Sequence, residues 1–156
     1  MKTKKTKAKK HKKTLTLCSS AAFYKQLMEA KKLLEKRGFK VLVPISATQM
    51  QRENNFNVAS HKTWYKNPND YTRKNFLTRH HFKKIAVGDA VLVLNYEKKG
   101  IDGYIGGAVL MEMGLACHLG KPIYILNPIT KGIAFEEEVY GMRPTFLGGD
   151  LSRIPR

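Results

Sequence analysis

The segment DAVLVLNYEKKGIDGYIGGAVLMEMGLACHLGKPIYILNP, residues 89–128, indicates the fold class of this 156-residue chain. Residues 90–94 form a short, continuous apolar run, which predicts a strand buried on both faces. A loop follows, then an apolar helix over 107–119 that Gly120 ends, and then a strand over 122–126. A strand, a helix and a second strand in this order predict two parallel strands with a crossover helix.

The same alternation continues on both sides of this segment. Strands are predicted over 14–18, 39–43 and 145–147, and helices over 21–37, 70–85 and 133–141. This order predicts an α/β fold, a flavodoxin-like doubly wound sheet of four to five parallel strands with helices on both faces. Ligands bind such sheets beyond the carboxyl ends of the strands, which here are residues 18–20, 44–47, 95–107 and 127–128.

The length and the local composition predict a single domain over residues 14–156. Residues 1–13 carry eight Lys and no acid, so they are predicted to form a disordered Lys-rich tail. Residues 45–69 are polar and show no period. A segment of this length is expected to be a lid loop over a binding site.

The net charge of +17 divides unevenly, with +8 in residues 1–13, +10 in residues 14–88 and −1 in residues 89–156. This distribution excludes an acidic disordered chain and predicts contact with an anion. Nucleic acid, a membrane surface and a phosphorylated metabolite all remain open as that anion. The tail alone is either a non-specific nucleic-acid arm or a solubilising extension.

The two cysteines, Cys18 and Cys117, form neither a disulfide framework nor a zinc motif. They are expected to be reduced packing residues of a cytoplasmic protein. No segment approaches the roughly 20 apolar residues of a membrane helix, and the apolar run after the basic start is too short for a signal peptide. We therefore expect no membrane partner.

Glu112 is the most informative residue, because it lies in a predicted helix that is otherwise apolar on every side. No cation stands three or four residues away, so its carboxylate needs distant partners or a raised pKa. Helical side chains lean towards the helix N-terminus, which directs Glu112 at the glycine turn over 103–107. The alternative is a structural carboxylate bonded to a neighbouring loop.

The turn itself, DGYIGG over residues 102–107, brings backbone N–H groups to a helix N-terminus, where they can approach an anion or a sugar. It does not match the GxGxxG fingerprint, and the chain has no P-loop. Ser19 and Ser20 follow the first strand. They could bind a phosphate or a sugar, or cap the helix that begins at Ala21.

The DAVLVLN strand, the glycine turn and GGAVLMEMGLACHLGKPIYIL resemble the nucleoside 2-deoxyribosyltransferase-like superfamily over about residues 89–128, and more loosely over 14–44. The resemblance implies transfer or hydrolysis of the N-glycosidic bond of a deoxyribonucleoside or deoxyribonucleotide. Glu112 matches the glutamate that attacks the anomeric carbon and forms a glycosyl-enzyme. No metal and no cofactor are implied. Members commonly build their sites between subunits, which implies a homo-oligomer.

The departing base needs a proton or a hydrogen bond, and Asp102, Asn95 and Tyr104 are the candidates. Asp102 is predicted to be catalytic together with Glu112. The predicted substrate contacts are Ser19, Ser20, Asn95, Tyr104, Gly106 and Gly107.

Two positions depart from the family, which often has Thr or Asn shortly before the glutamate where this chain has Ala108 and Val109. Neither residue offers a hydroxyl or an amide to a sugar or phosphate. Two alternatives to an enzyme follow. One is a catalytically inactive nucleotide-binding or sensing module, and the other is a nucleic-acid-associated protein that acts through its basic tail.

Overall fold

The computed structural model describes residues 11–156 and contains one five-stranded parallel sheet with the strand order β2-β1-β3-β4-β5. The strands are β1 (Thr14–Cys18), β2 (Lys40–Leu42), β3 (Ala90–Val93), β4 (Ile123–Ile125) and β5 (Thr145–Phe146). The helices are α1 (Tyr24–Lys36), α2 (Ile45–Arg52), α3 (Val58–His61), α4 (Tyr71–Val87), α5 (Gly107–His118) and α6 (Glu136–Gly141). This architecture confirms the predicted flavodoxin-like doubly wound fold.

Two apolar clusters lie on opposite faces of the sheet, because successive side chains along a strand alternate between its faces. On one face, Leu17 of β1 packs with α1 and α2. On the other face, Cys18 of β1 packs with α4 and α5, for example with Ile85 and Met113. Helices therefore cover both faces, and β1 and β3 form the buried centre of the sheet.

The segment 45–69 differs from the polar loop that its sequence predicts, because it contains the helices α2 and α3. Only Ala47 and Met50 of α2 are buried, and two apolar positions are too few to show a helical period. The side chain of Asn57 begins α3 by accepting a hydrogen bond from the N–H of Ala59 at 3.0 Å. The movement of this segment as a lid stays a prediction.

Lys13, which the sequence places in the tail, already belongs to the folded domain. Its carbonyl accepts a hydrogen bond from the N–H of Lys40 at 3.0 Å, and its ammonium lies 5.7 Å from the ring centroid of Tyr124. The predicted disorder and the predicted nucleic-acid contacts of the tail concern residues 1–10 above all, and these lie outside the described residues. In the rest of the chain no helix combines the length and the apolar character that a membrane crossing needs.

Candidate functional site

A cavity of about 520 Å³ opens beyond the carboxyl ends of β1 and β2. The segment around α2 and α3, the middle of α4 and the N-terminal half of α5 form its walls. Its volume lies in the range of small-molecule sites, roughly 300–1,000 Å³. It is lined by six of the eight predicted site residues, namely Ser19, Ser20, Tyr104, Gly106, Gly107 and Glu112.

Glu112 reaches this cavity from the second turn of α5. Its Oε2 atom is buried and has no hydrogen-bond partner within the described residues. Burial raises the pKa of Glu112 from 4.5 to about 7, and the nearby Cys18 thiol and Lys74 ammonium partly offset this rise. The carboxylate is thus desolvated and uncompensated, as the apolar sequence of the helix predicts.

Cys18 and His81 meet Glu112 at the cavity, although neither was a predicted site residue. His81 lines the cavity together with Glu112, and Cys18 lies behind the lining residues. The Cys18 Sγ atom lies 3.5 Å from the His81 Nε2 atom, and the donor atoms of all three residues lie within 4.8 Å of one another. Burial raises the pKa of the Cys18 thiol well above its usual range and lowers the pKa of His81 to about 4. Near pH 7 the thiol and the imidazole are therefore both neutral.

Sequence reasoning missed this group because its members lie on three separate elements. It treated Cys18 as a packing residue, and the adjacent pair His80 and His81 gives no metal-ligand spacing. Cysteine, histidine and glutamate together are nevertheless ligands of zinc-type ions, so the group could hold a metal where no metal was predicted. The lysines that line the same cavity oppose the entry of a dication.

The cavity is strongly cationic, because five Lys and Arg side chains line it and Glu112 is its single acidic residue among those described. The five residues are Lys62, Arg73, Lys74, Lys98 and Lys99. Sequence reasoning anticipated the excess of charge in the first half of the chain. It did not anticipate that loop and helix residues would gather at one place.

Asn95 does not reach this cavity, which corrects its predicted substrate contact. It is fully buried, and its side-chain amide donates to the carbonyls of Asn127 at 2.8 Å and Gly103 at 3.3 Å. Its Oδ1 atom also accepts from the N–H of Asn127 at 2.8 Å. Asn95 thus joins the ends of β3 and β4, and its polar atoms are already used within the fold.

Asp102 is exposed and lines a second, more open depression, so it does not share a cavity with Glu112 as predicted. The cause is the turn at Gly103, whose φ of +67° reverses the chain between Asp102 and Tyr104. A methyl group on Gly103 would lie 2.0 Å from the carbonyl oxygen of Pro128, so only glycine fits. Asp102, before this turn, lines the depression, and Tyr104, after it, lines the cavity that contains Glu112.

The structure shows the capping role of Ser20, whereas its binding of a phosphate or a sugar stays a prediction. Its hydroxyl caps the 3₁₀ turn at Ala21–Phe23 by accepting from the N–H of Ala22 at 3.4 Å, and it also faces the cavity. There it accepts a hydrogen bond from the Lys98 Nζ atom at 3.0 Å.

The two departures from the family pattern are not equivalent in the structure. Ala108 is exposed at the cavity wall, where a hydroxyl or an amide would meet a ligand. Val109 is only 3% exposed and packs in the apolar cluster beneath α5. Both residues line the cavity, and Ala108 is the more accessible of the two to a ligand.

The sheet order defines the class of this protein as a flavodoxin-like α/β fold, with a cavity that contains a carboxylate beyond the carboxyl edge of the sheet. No protein-family profile matches the sequence, and no curated protein matches it. Among solved structures, the chain is similar to the 2-deoxyribosyltransferase of the psychrotolerant bacterium Bacillus psychrosaccharolyticus. That likeness has 19% identity and a TM-score of 0.50, and it covers 78% of this chain and 77% of the other. The fold is thus nucleoside 2-deoxyribosyltransferase-like.

Proposed function

We propose that this protein cleaves the N-glycosidic bond of a deoxyribonucleoside or deoxyribonucleotide and passes the sugar to a second base or to water. One observation carries the proposal: Glu112, whose buried Oε2 atom has no hydrogen-bond partner among residues 11–156, lines a cavity of about 520 Å³. The similar structure is that of a 2-deoxyribosyltransferase, which supports deoxyribosyl transfer in general.

In the first step, a Glu112 carboxylate oxygen attacks the anomeric carbon of the sugar. The carbon–nitrogen bond breaks, its electron pair leaves with the base, and a glycosyl ester of Glu112 forms. In the second step, a nitrogen of another base or a water oxygen attacks the same carbon and frees the carboxylate. The attacking group loses one proton, which balances the proton that the departing base takes up.

The surroundings of Glu112 fit this role. The neutral Cys18 thiol can hold the carboxylate in place by a hydrogen bond and leaves its negative charge unneutralised. The neutral His81 imidazole in turn contacts Cys18. Cys18 and His81 are positioning residues in this proposal. Cys18 acts on the carboxylate from behind the cavity wall, and His81, which lines the cavity, acts on it through Cys18.

Tyr104 is the one predicted partner of the departing base that lines the cavity. Its hydroxyl lies beside the N-terminus of α5, since a methyl group on Gly106 would come within 3.2 Å of it. A phenol there can donate a hydrogen bond to the base as the carbon–nitrogen bond lengthens. We assign Tyr104 this function in place of Asp102 and Asn95.

The test is a panel of deoxyribonucleosides and deoxyribonucleotides, incubated with and without a free base, with base release measured by chromatography. We expect wild-type turnover and a fall of at least about 10³-fold for Glu112→Gln, because that amide is a far poorer nucleophile. The matched control is Glu137→Gln, which changes an exposed glutamate on α6 and should retain the wild-type rate. Equal rates for wild type and Glu112→Gln across the panel would refute the proposal.

Ala108 favours one second candidate, a nucleotide-binding module without turnover, because it removes a hydroxyl or amide from the cavity wall. This candidate predicts that deoxyribonucleotides raise the melting temperature of the protein while no base is released. The same panel, read by thermal shift and by chromatography, separates the two candidates.

A further inference from the structure

Three lysines reach the Glu112 cavity from three different parts of the chain. Lys62 follows α3, Lys74 lies on α4, and Lys98 lies in the loop between β3 and α5. We call them the lysine group. Lys62 and Lys74 lie outside the residues that carry the family resemblance.

No carboxylate forms an ion pair with the lysine group in the described part of the chain. None of its members forms an ion pair within residues 11–156, and the first ten residues contain no acid that could supply one. The three ammonium groups share one cavity, where like charges repel one another. Burial, and to a smaller degree the charges of Lys98 and Lys74, lowers the pKa of Lys62. A bound anion would relieve this repulsion.

Neutral polar and aromatic groups hold two of the three ammonium groups at the cavity. Lys98 donates a hydrogen bond to the Ser20 hydroxyl at 3.0 Å and lies 4.8 Å from the ring centroid of Tyr104. Lys74 lies 5.7 Å from the ring centroid of Trp64, which is 5% exposed. These contacts orient the cations and leave their charges free for a ligand.

We propose that the lysine group is a phosphate subsite, so that the substrate of the Glu112 cavity is a deoxyribonucleoside 5′-monophosphate and not the free nucleoside. This inference rests on the proposed function. Phosphate oxygens accept charge-assisted hydrogen bonds from ammonium groups, and the Ser20 hydroxyl can add one more. An uncharged nucleoside would enter the same cavity and leave the repulsion among the lysines in place.

The experiment compares kcat/KM for a deoxyribonucleoside 5′-monophosphate with kcat/KM for the same deoxyribonucleoside. We expect the monophosphate to be preferred at least about 10-fold, which is the scale of one charge-assisted hydrogen bond. Lys62→Met and Lys98→Met should each reduce this preference about 10-fold or more. Lys32→Met, which removes an exposed lysine from α1 on the other face of the sheet, should leave the preference at the wild-type value.

A kcat/KM ratio of monophosphate to nucleoside near one in the wild type would overturn the phosphate subsite and leave the proposed function intact. A ratio that neither lysine variant changes would do the same. Binding of the monophosphate is also measured by calorimetry, independently of turnover. If no substrate is cleaved but the monophosphate binds and Lys62→Met weakens it about 10-fold, the subsite stands and the proposed function fails. Absence of both cleavage and binding would overturn both.

A 5′-phosphorylated oligodeoxynucleotide serves as a further probe, because the end of a nucleic acid carries the same phosphate chemistry. The lysine group belongs to a cavity, so the mononucleotide should bind at least as tightly as the oligonucleotide at physiological salt. If the oligonucleotide binds more tightly than the mononucleotide, and Lys62→Met weakens that binding, the lysine group is a nucleic-acid site and the mononucleotide proposal is overturned.

Discussion

At the scale of single residues, burial and two neighbouring side chains shift the pKa of Glu112 in opposite directions. Burial favours the neutral acid, whereas the Cys18 thiol and the Lys74 ammonium favour the carboxylate. Burial dominates, and the pKa of Glu112 rises to about 7. The protein therefore keeps a buried carboxyl group at a cost in stability, as the proposed catalytic role of Glu112 requires.

This cost predicts how the stability of Glu112→Gln depends on pH. A raised carboxyl pKa means that the folded protein loses stability as pH rises from the unfolded value of 4.5 through about 7, where the folded group ionises. The glutamine variant carries no ionising group there. We expect the free energy of unfolding of Glu112→Gln, relative to that of the wild type, to rise by up to about 3 kcal/mol from pH 5 to pH 8. Urea unfolding at both pH values measures this difference, and a pH-independent difference would contradict a raised pKa.

A second prediction concerns Cys18 as a positioning residue. Its thiol lowers the pKa of Glu112, so Cys18→Ala should move the acid limb of the pH–rate profile to higher pH and reduce the rate at pH 6. The profiles are measured with a chelator present, because the thiol, imidazole and carboxylate together could take up a metal. Cys117→Ala is the matched control, since that cysteine is exposed on the far part of α5. Equal shifts of the pH–rate profile for Cys18→Ala and Cys117→Ala would contradict the positioning role of Cys18.

At the scale of secondary-structure elements, the sequence predicts long or strongly apolar elements well. The run AVLVL and the helix around Glu112 lie close to their predicted positions, because apolar strands and helix-ending glycines are local signals. α2 could not be predicted, since it buries only Ala47 and Met50. Its packing depends on α1, which is distant in sequence.

In the candidate site, too, local sequence patterns predict some features and tertiary packing determines the others. The position of Glu112 follows from its own helix, whereas the contact between Cys18 and His81 depends on how β1 and α4 pack. The direction of Asp102 depends on one backbone angle at Gly103, and no periodicity encodes that angle. Local patterns thus identified the carboxylate, and tertiary packing determined its partners.

The turn at Gly103 gives a prediction for stability. Gly103→Ala would place a methyl group 2.0 Å from the Pro128 carbonyl oxygen at a φ of +67°, so we expect a loss of about 2–4 kcal/mol in the free energy of unfolding. Gly114→Ala is the control, because it lies in α5 with open space around it and should stabilise by up to about 1 kcal/mol. Denaturant unfolding compares both variants with wild type. Similar stabilities for the two would show that the turn is not constrained.

At the scale of the whole molecule, α5 is apolar on the side away from the sheet as well. Met111 is 51% exposed and Leu119 is 42% exposed, and Phe76 on the neighbouring α4 is 56% exposed. Exposed apolar surface next to a site is typical of association surfaces. This observation agrees with the homo-oligomer that the family resemblance implies.

Light scattering on the purified protein tests this expectation, and we expect a mass above that of one chain. Met111→Lys should shift the protein towards the monomer, because it places a charge in an apolar contact. Leu33→Lys, at an equally exposed residue of α1 on the other face of the sheet, should not change the mass. A monomeric wild type would contradict the expectation.

The positive charges of the molecule have two separate roles in this proposal. The Lys-rich start of the chain adds to attraction for any polyanion, whereas the lysine group acts at short range on a single phosphate. Deletion of residues 1–12 should therefore leave the preference for the monophosphate unchanged. Lys13 stays in such a protein because its carbonyl bonds to Lys40.

The covalent step at Glu112 is the central claim, and intact-protein mass spectrometry tests it most directly. The protein is mixed with a deoxyribonucleoside 5′-monophosphate, quenched in acid within the first turnover, and weighed and digested. We predict an increase by one deoxyribosyl phosphate group, located on the peptide that contains Glu112 and missing in Glu112→Gln. Base release by the wild type with no such adduct, or an adduct that persists in Glu112→Gln, would contradict the account.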